Sequence, residues 1–394
     1  MEQCLYSVMN ACENIETEIF VVDNNSTDGS KDYFAGRFGK VRFIWSAENT
    51  GFSKANNLAL NNSTGEYILF LNPDTILPED CLEKCLAFFH QNDIGAMGIR
   101  MIDGSGNFLK ESKRAFPSPL TSFFKLSGLA ALFPASKIFA RYYLGQLDQN
   151  KNHQVDVLAG AFMMIRKNVL DKTGGFDERF FMYGEDVDLS YRIQKAGFRN
   201  IYFSETTIIH FKGESTKRGS LNYIRLFYGA MGLFVQKHYN SGTAGLYVLL
   251  IQIAIWIKTL FSGITKLLPG IFNISKESRS REKCFIIADK TDFNFIVSIL
   301  QKNNTHPEGF ARINPQHSVE VGAIGNLQQL PQLVVRKNVK EIIFCINGLA
   351  AKDMISVMQQ LPAGISFWFH FEDSFSIVGS NRKDASGDCI AITN

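Results

Sequence analysis

The chain has 394 residues, 45% of them hydrophobic, with 41 Lys and Arg against 38 Asp and Glu. That length holds two or three domains with ample apolar content for their cores, which excludes intrinsic disorder. A net charge of +3 gives no overall electrostatic reason for a nucleic-acid partner, and none is expected. The seven cysteines are odd in number and form no C-x-x-C pair, which fits reduced cytosolic thiols. Cys81 and Cys85 can share one helix face, but without a second pair they do not make a zinc site. Residues 1–16 lack a basic start followed by an apolar run, so no signal peptide is expected.

In chain order, residues 19–22 form an apolar run that ends in the polar stretch D-N-N-S-T-D-G, beginning at Asp23. Residues 41–45 and 67–71 repeat the design, ending in Glu48-Asn49-Thr50-Gly51 and Asn72-Pro73-Asp74. Apolar strands with helices between them predict a mostly parallel sheet covered on both faces. In such folds ligands gather beyond the carboxyl ends of the strands, where the three polar clusters would lie. Residues 116–144 are apolar and basic, hold no acid and are interrupted by three prolines, which predicts an excursion from the sheet, read as a lid. Residues 155–165 and 201–211 return to strand character.

Residues 215–276 contain seven Lys and Arg and no Asp or Glu. Within them 246–257 is almost wholly apolar, too short for the ~20 residues that span a bilayer. At 100° per residue, Gln252, Lys258, Thr259, Ser262, Thr265 and Lys266 fall on one arc. That describes a basic amphipathic helix lying in a membrane interface. A helix packed into the core and a complete span are the alternatives. A basic linker then leads to a second α/β pattern: 284–288 (strand), 293–302 (helix), 319–324, 327–336 (helix), 341–345 (strand), 350–361 (helix) and 365–370 (strand).

Three acidic constellations carry possible chemistry. Asp23 and Asp28 flank a run that by itself is a good turn. Asp74 follows a strand, where one carboxylate can hold a hard divalent cation between phosphates, although N-P-D is also an ordinary turn. The densest group is Asp177, Glu178, Glu185 and Asp186, with Asp188 in the first turn of the helix that follows. Helix caps are the ordinary reading of Glu185 and Asp188. Adjacent acids after aromatic residues also suit a partly desolvated general base.

These residues, in this order, resemble the family 2 glycosyltransferases, inverting enzymes of GT-A fold, and their rhamnosyltransferase-like branch. The segments are VVDNNSTDGS (21–30), ENTGFSKANN (48–57), LFLNPDTIL (69–77), DVLAGAFMMIRK (156–167), GGFDERFFMYGEDVDLSYRIQKAGF (174–198) and IIHFKGEST (208–216). The resemblance implies that Asp23, with Asn49, Gly51 and Asn56, binds the donor nucleotide. It implies that Asp74 and His210 hold Mg²⁺ or Mn²⁺ on the diphosphate, and that Asp186 is the general base. Glu185 and Tyr183 would line the acceptor side, Gly160 and Ala161 would let the backbone approach the donor sugar, and Lys217 would contact the diphosphate or face the membrane. Family members begin with an apolar strand followed by a helix like residues 2–15. Here the chain starts inside that helix, so the domain is expected to lack its first strand, with a truncated start favoured.

From about 282 the chain resembles the Rossmann-like domain of polyprenyl-phosphate sugar phosphotransferases, in GAIGNLQQL (322–330), NVKEIIFCING (338–348) and FSIVGSNRKDASGD (375–388). Its first strand runs into Asp289-Lys290-Thr291-Asp292 and not a glycine-rich loop, which argues for docking or regulation over phosphate binding.

The expected organisation is therefore a GT-A domain over 1–240, a membrane-associated helix and linker over 241–281, and a Rossmann-like accessory domain over 282–394. The expected activity is sugar transfer from a dTDP- or UDP-sugar to a polyprenyl-diphosphate-linked glycan. It would take place peripherally on the cytoplasmic face of the inner membrane, in bacterial cell-surface polysaccharide (O-antigen) synthesis. The competing expectation is a catalytically inactive nucleotide-binding or scaffold subunit.

Overall fold

The computed structural model describes residues 1–118, 120, 121, 124, 129–211, 221–239, 245, 283–302, 309–316, 320–346, 349–371, 374, 376–379 and 388–391. Three sheets organise them. The first has two parallel strands, β1 (Ile19–Asp23) and β2 (Val41–Trp45), in the register Asp23 to Trp45. Among the described residues no strand joins it to the second sheet, which opens with β3 (Tyr67–Leu71). Helix α1 (Glu2–Ala11) packs over both, Leu5 meeting the core under β2 and Cys4, Val8 and Ala11 meeting the core under β3.

The second sheet orders its strands β3, β7 (Phe162–Arg166), β5 (Ala96–Ile102), β8 (Asn200–His210) and β4 (Thr75–Ile76), with the short β6 (His153–Gln154) paired to β8. It is mixed, not mostly parallel. Strand β7 runs antiparallel to both β3 and β5, and only the β5–β8 pair is parallel. The chain leaves β5 for the excursion over 116–144 and re-enters the sheet from the same end, so β7 runs back antiparallel to β5. Strand β5 is buried along its whole length, as expected of a central strand covered on both faces.

Residues 155–161, expected to be strand, are irregular. Their backbone bonds elsewhere, Val155 N–H donating to Asn200 O at 3.0 Å and Val157 N–H to Arg114 O at 2.9 Å, so the ladder starts only at Phe162.

The helices of the first half are α2 (Ser30–Phe34), α3 (Phe52–Leu60), α4 (Cys81–Gln91), α5 (Leu129–Leu132), α6 (Lys167–Thr173), α7 (Glu185–Lys195) and α8 (Leu221–His238). In α4 the spacing of Cys81, Leu82, Cys85 and Phe89 puts all four on the buried face. Both thiols are free and serve as core residues.

The third sheet orders β10 (Gly309–Ile313), β9 (Lys283–Ile287), β11 (Glu341–Cys345), β12 (Ser366–His370), β13 (Ser376–Gly379) and β14 (Asp388–Ala391). The first four strands are parallel, the last two antiparallel, and α9 (Lys290–Lys302), α10 (Leu330–Lys337) and α11 (Ala351–Gln360) connect them. This is the expected Rossmann-like unit with two corrections. Its second strand is 309–313; residues 320–325 form turns that return to it, Ile324 N–H donating to Arg312 O at 3.0 Å. Strands β13 and β14 extend the sheet through a segment too rich in polar residues to read as strand.

The third sheet is not separate from the second. Ile76, Ile102, Ile209 and Phe211 lie in one hydrophobic cluster with Phe344, Phe369, Met354 and Ile355. Gln3 Nε2 donates to Ser374 Oγ at 2.9 Å and Gln3 Oε1 accepts from Phe371 N–H at 3.0 Å. Glu79 Oε1 accepts the Ala351 N–H at the start of α11, at 2.6 Å. Among the described residues no helix is long and apolar enough to cross a membrane. The amphipathic stretch 246–266 and Lys217 lie outside them.

Candidate active site

Three loops converge from different parts of the chain, each following an apolar strand or leading into a helix. The first leaves β1. Asp23 Oδ1 accepts the Ser26 N–H at 2.9 Å, so the turn reading of D-N-N-S holds locally. The next residue, Asn24, makes the long-range contact. Its Nδ2 donates to Asn49 Oδ1 at 3.0 Å and Gly51 O at 3.2 Å, while its Oδ1 accepts the Thr50 N–H at 2.9 Å. Asp23, Asn49 and Gly51 are thereby gathered. Asn56 is spent inside α3, its amide donating to Phe52 O at 2.9 Å.

Gly51 has φ +86°, and a Cβ there would sit 2.6 Å from both the ring and the carbonyl oxygen of Phe181. That closeness is how the first loop is tied to the third. Phe52 N–H donates to Phe181 O at 2.7 Å and Ser53 Oγ to Phe180 O at 2.6 Å. Gly51→Ala is therefore expected to destabilise the fold by about 2 kcal/mol or more, through left-handed strain and overpacking together. A fall in melting temperature with loss of nucleotide affinity would report it.

The second loop leaves β3. Asn72 N–H donates to Ala161 O at 3.0 Å, extending the β3–β7 ladder by one bond. The chain then turns into β4, which pairs Thr75 with His210 of β8. This register sets His210 Nε2 3.3 Å from Asp74 Oδ1 and 3.4 Å from Asn72 Nδ2. Burial works to raise the Asp74 carboxyl, but the facing His210 outweighs it and the net direction is down. Among the described residues no cluster of three or more His, Cys, Asp and Glu could hold a metal. The pair Asp74 and His210 brings one carboxylate oxygen and one imidazole nitrogen together.

The third loop carries the acids. Tyr183 (φ +70°) and Gly184 (φ +84°) turn the chain into α7, and α7 has no side-chain cap, so Glu185 and Asp188 are not caps. Asp186 Oδ2 accepts from Arg114 Nη2 at 2.5 Å and from Gly160 N–H at 3.3 Å, and its Oδ1 accepts from Val187 N–H at 2.8 Å. Arg114 Nη2 also donates to Leu158 O at 2.8 Å. The carboxylate that heads α7 is thus clamped onto the Gly160–Ala161 backbone. Ala161 in turn holds Asn72 beside Asp74, so Asp186 and the Asp74–His210 pair are linked through two consecutive residues.

Glu185 is buried beside Asp186, and its Oε2 has no hydrogen-bond partner. Burial first, and the Asp186 charge second, push its carboxyl up to about 8, which favours the protonated form in the folded state. A buried acid whose folded pKa lies above its ordinary 4.5 costs stability as pH rises between those values. Glu185→Gln should flatten the fall in melting temperature from pH 5 to pH 8. An unchanged slope would place the titration elsewhere.

Asp188 is fully buried and bonded on all sides. It accepts from Arg192 Nε, Lys237 Nζ and His238 Nε2, each at 2.7 Å, and Lys237 also reaches Asp177 Oδ2 at 2.7 Å. This network fixes α8 against α7 and does not face the Asp186 carboxylate.

Most of the residues expected from sequence are brought together: Asp23, Asn49 and Gly51 in one loop pair, Asp74 with His210, and Gly160, Ala161, Glu185 and Asp186 in a third group, with Tyr183 at the turn. Asn56 is not joined to its expected partners. Arg114 and Asn24 were missed; the acid-free stretch beginning at Ser112 is the only sequence sign of Arg114.

Two adjacent carboxylates at a helix start are thus joined, through Arg114 and the Gly160–Ala161 backbone, to an Asp–His pair at a strand end of an α/β sheet. Residues 1–174 match the model of Glycosyl transferase family 2. It is 27% identical over 253 residues to N-acetylglucosaminyl-diphospho-decaprenol L-rhamnosyltransferase of Mycobacterium tuberculosis, covering 61% of this chain and 81% of that one. It is 29% identical over 171 residues to rhamnosyltransferase WbbL of Escherichia coli, covering 41% of this chain and 61% of that protein. Mannosyltransferase PcManGT from Pyrobaculum calidifontis, solved with GDP-Man and Mn²⁺, aligns at TM-score 0.41 and 15% identity, over 68% of this chain and 72% of that one.

Proposed function

We propose that the chain is an inverting, metal-dependent transferase that moves a sugar, rhamnose first among candidates, from a dTDP- or UDP-sugar to a polyprenyl-diphosphate-linked glycan. The setting is the inner face of the bacterial cell membrane during polysaccharide synthesis. The observation that carries this reading is the clamped Asp186, joined through Gly160 and Ala161 to the Asp74–His210 pair. Its relatives named for rhamnosyl transfer, one of them to a diphospho-decaprenol acceptor, supply the substrate class.

In the proposed reaction the Asp186 carboxylate takes the proton of the acceptor hydroxyl. The freed oxygen attacks the anomeric carbon from the side opposite the leaving group, and the bond to the nucleoside diphosphate breaks, which inverts the centre. Arg114 and the Gly160 N–H keep Asp186 aimed. The neutral Glu185 places a hydrogen-bond donor beside it without a second negative charge. Asp23 and the loop held by Asn24 would take the nucleoside, and Lys217 the diphosphate.

An aspartate oxygen with a histidine nitrogen is a mixed donor pair that suits Mn²⁺ or Mg²⁺, with positions left for diphosphate oxygens and water. When bound, the ion supplies positive charge that offsets the charge gathering on the leaving diphosphate. We also propose that 1–240, 241–281 and 282–394 act as catalytic, membrane-associated and accessory units.

The test is donor turnover by the purified chain with Mn²⁺ and Mg²⁺, alongside calorimetry of dTDP and UDP. Asp74→Ala and His210→Ala should each raise the Mn²⁺ needed for half-maximal nucleotide binding by about tenfold or more. No turnover with any divalent ion, together with nucleotide affinity indifferent to Mn²⁺, would sink the enzyme reading and leave a scaffold.

A further inference from the structure

We propose that Leu120, Leu132, Phe133, Lys137, Ile138 and Arg141 form a face that lies on an anionic lipid surface and brings the Asp186 site to the membrane. This deepens the preceding reading and rests on its lipid-linked acceptor. Among the described residues, Leu120 (59% exposed), Leu132 (70%), Phe133 (47%) and Ile138 (62%) crowd large apolar side chains into nineteen positions. Single exposed apolar residues are ordinary, but a contiguous group is not.

The rings of Phe124 and Phe133 both pack on Phe139, at 5.0 and 5.4 Å. They join the turn that bears Phe133 and Ile138 to the segment one helical turn after Leu120. Between Glu111 and Asp148 the sequence has no acid at all, and Lys137 and Arg141 are exposed among the apolar side chains. Exposed Leu, Phe and Ile with cations and no anion complement a bilayer interface carrying anionic headgroups. A protein partner would find no acid here for its own cations to meet.

The face is rooted at the site. Arg114, which clamps Asp186, lies just before the excursion, and Ala115 N–H donates to Tyr142 O at 2.9 Å, which closes its base. Lys113 Nζ donates to Leu144 O at 2.7 Å, and the Phe116 ring lies 5.1 Å from that of Tyr191 on α7. The two ends of the segment therefore meet each other, and its start lies against α7, the helix whose first turn carries Asp186. A carrier anchored in the bilayer by its tail would present its diphosphate-linked sugar at that level.

The experiment uses the full chain carrying Lys258→Glu and Lys266→Glu, which silences the basic stretch after residue 246. Flotation is measured with phosphatidylglycerol-containing vesicles and with pure phosphatidylcholine vesicles. This background should float with the anionic vesicles, and adding Leu132→Glu, Phe133→Glu and Ile138→Glu should cut partitioning by about tenfold or more. Lys137→Glu with Arg141→Glu should cut binding to the anionic vesicles alone.

Melting temperature and transfer to a short-chain, water-soluble diphosphate-linked acceptor should be unchanged in the apolar variant, while transfer to a long-chain acceptor in vesicles falls. Equal flotation of variant and background overturns the proposal. So does a dimer of the background, without lipid, that the variant converts to monomer. Transfer to neither acceptor, with flotation as expected, overturns the acceptor reading and leaves the membrane face standing.

Discussion

Asp186→Asn should lower kcat by about 10²–10⁴-fold, the usual contribution of a general base, with donor affinity little changed. Asparagine keeps the shape of the carboxylate, and with its amide turned so that its oxygen takes the Oδ2 position it can still accept from Arg114, so α7 stays where it is. What it cannot do is take the acceptor proton. The loop around Asp23, Asn24 and Asn49, proposed to take the nucleoside, is held by its own hydrogen bonds, which is why KM for the donor should move little.

The substitution also leaves the buried Arg114 charge facing a neutral amide. Breaking a buried pair outright costs about 3–5 kcal/mol, and the retained amide dipole softens that loss. A modest drop in melting temperature with a native far-ultraviolet spectrum is the expected companion result. Retention of more than a tenth of the wild-type rate would move the base to another residue, with Glu185 next in line.

Asp188→Asn should be the most damaging single change to stability, at about 3–5 kcal/mol. The side chain is fully buried among Lys237, His238 and Arg192, so neutralising it strands three donors that α7 and α8 share. The pH dependence follows in sign. Burial works to raise the Asp188 carboxyl, but Lys237, Arg192 and His238 outweigh it and leave it below its ordinary 3.8. Asp177 lies far lower than usual, first through Arg179 and then through Lys237.

Depressed carboxyls stabilise above their unfolded values and lose that contribution as pH falls through the folded ones. Wild type should therefore weaken steeply below about pH 4, and the variant should start lower and fall less steeply. Denaturant midpoints at pH 7, 4 and 3 measure both. Equal acid limbs in the two proteins would mean that some other carboxylate controls acid unfolding.

The strands of the first half were legible because each is a short apolar run closed by polar turn residues. Val41–Trp45 and Tyr67–Leu71 fall at their expected bounds. Strand direction was not legible: nothing local in Phe162–Arg166 says that it runs against β3 and β5, since that depends on where the excursion re-enters. The acids around α7 were legible as a cluster, but their different surroundings were not. Asp188 looked like a helix cap until α8 supplied its partners from fifty residues away. Arg114 was invisible for the same reason, because its meaning lies in the carboxylate it meets and not in its neighbours.

The hydrophobic cluster shared by the second and third sheets has a consequence for cooperativity. Ile76 lies two residues after Asp74 and Ile209 immediately before His210, and both share a cluster with residues of the C-terminal unit, with the Phe211 ring 5.3 Å from Phe369. Heat should melt the two sheets in one transition, and removal of residues 283–394 should leave the first half unable to fold. By the same linkage, any ligand that settles on the Asp74–His210 pair raises the melting point of strands that never touch it.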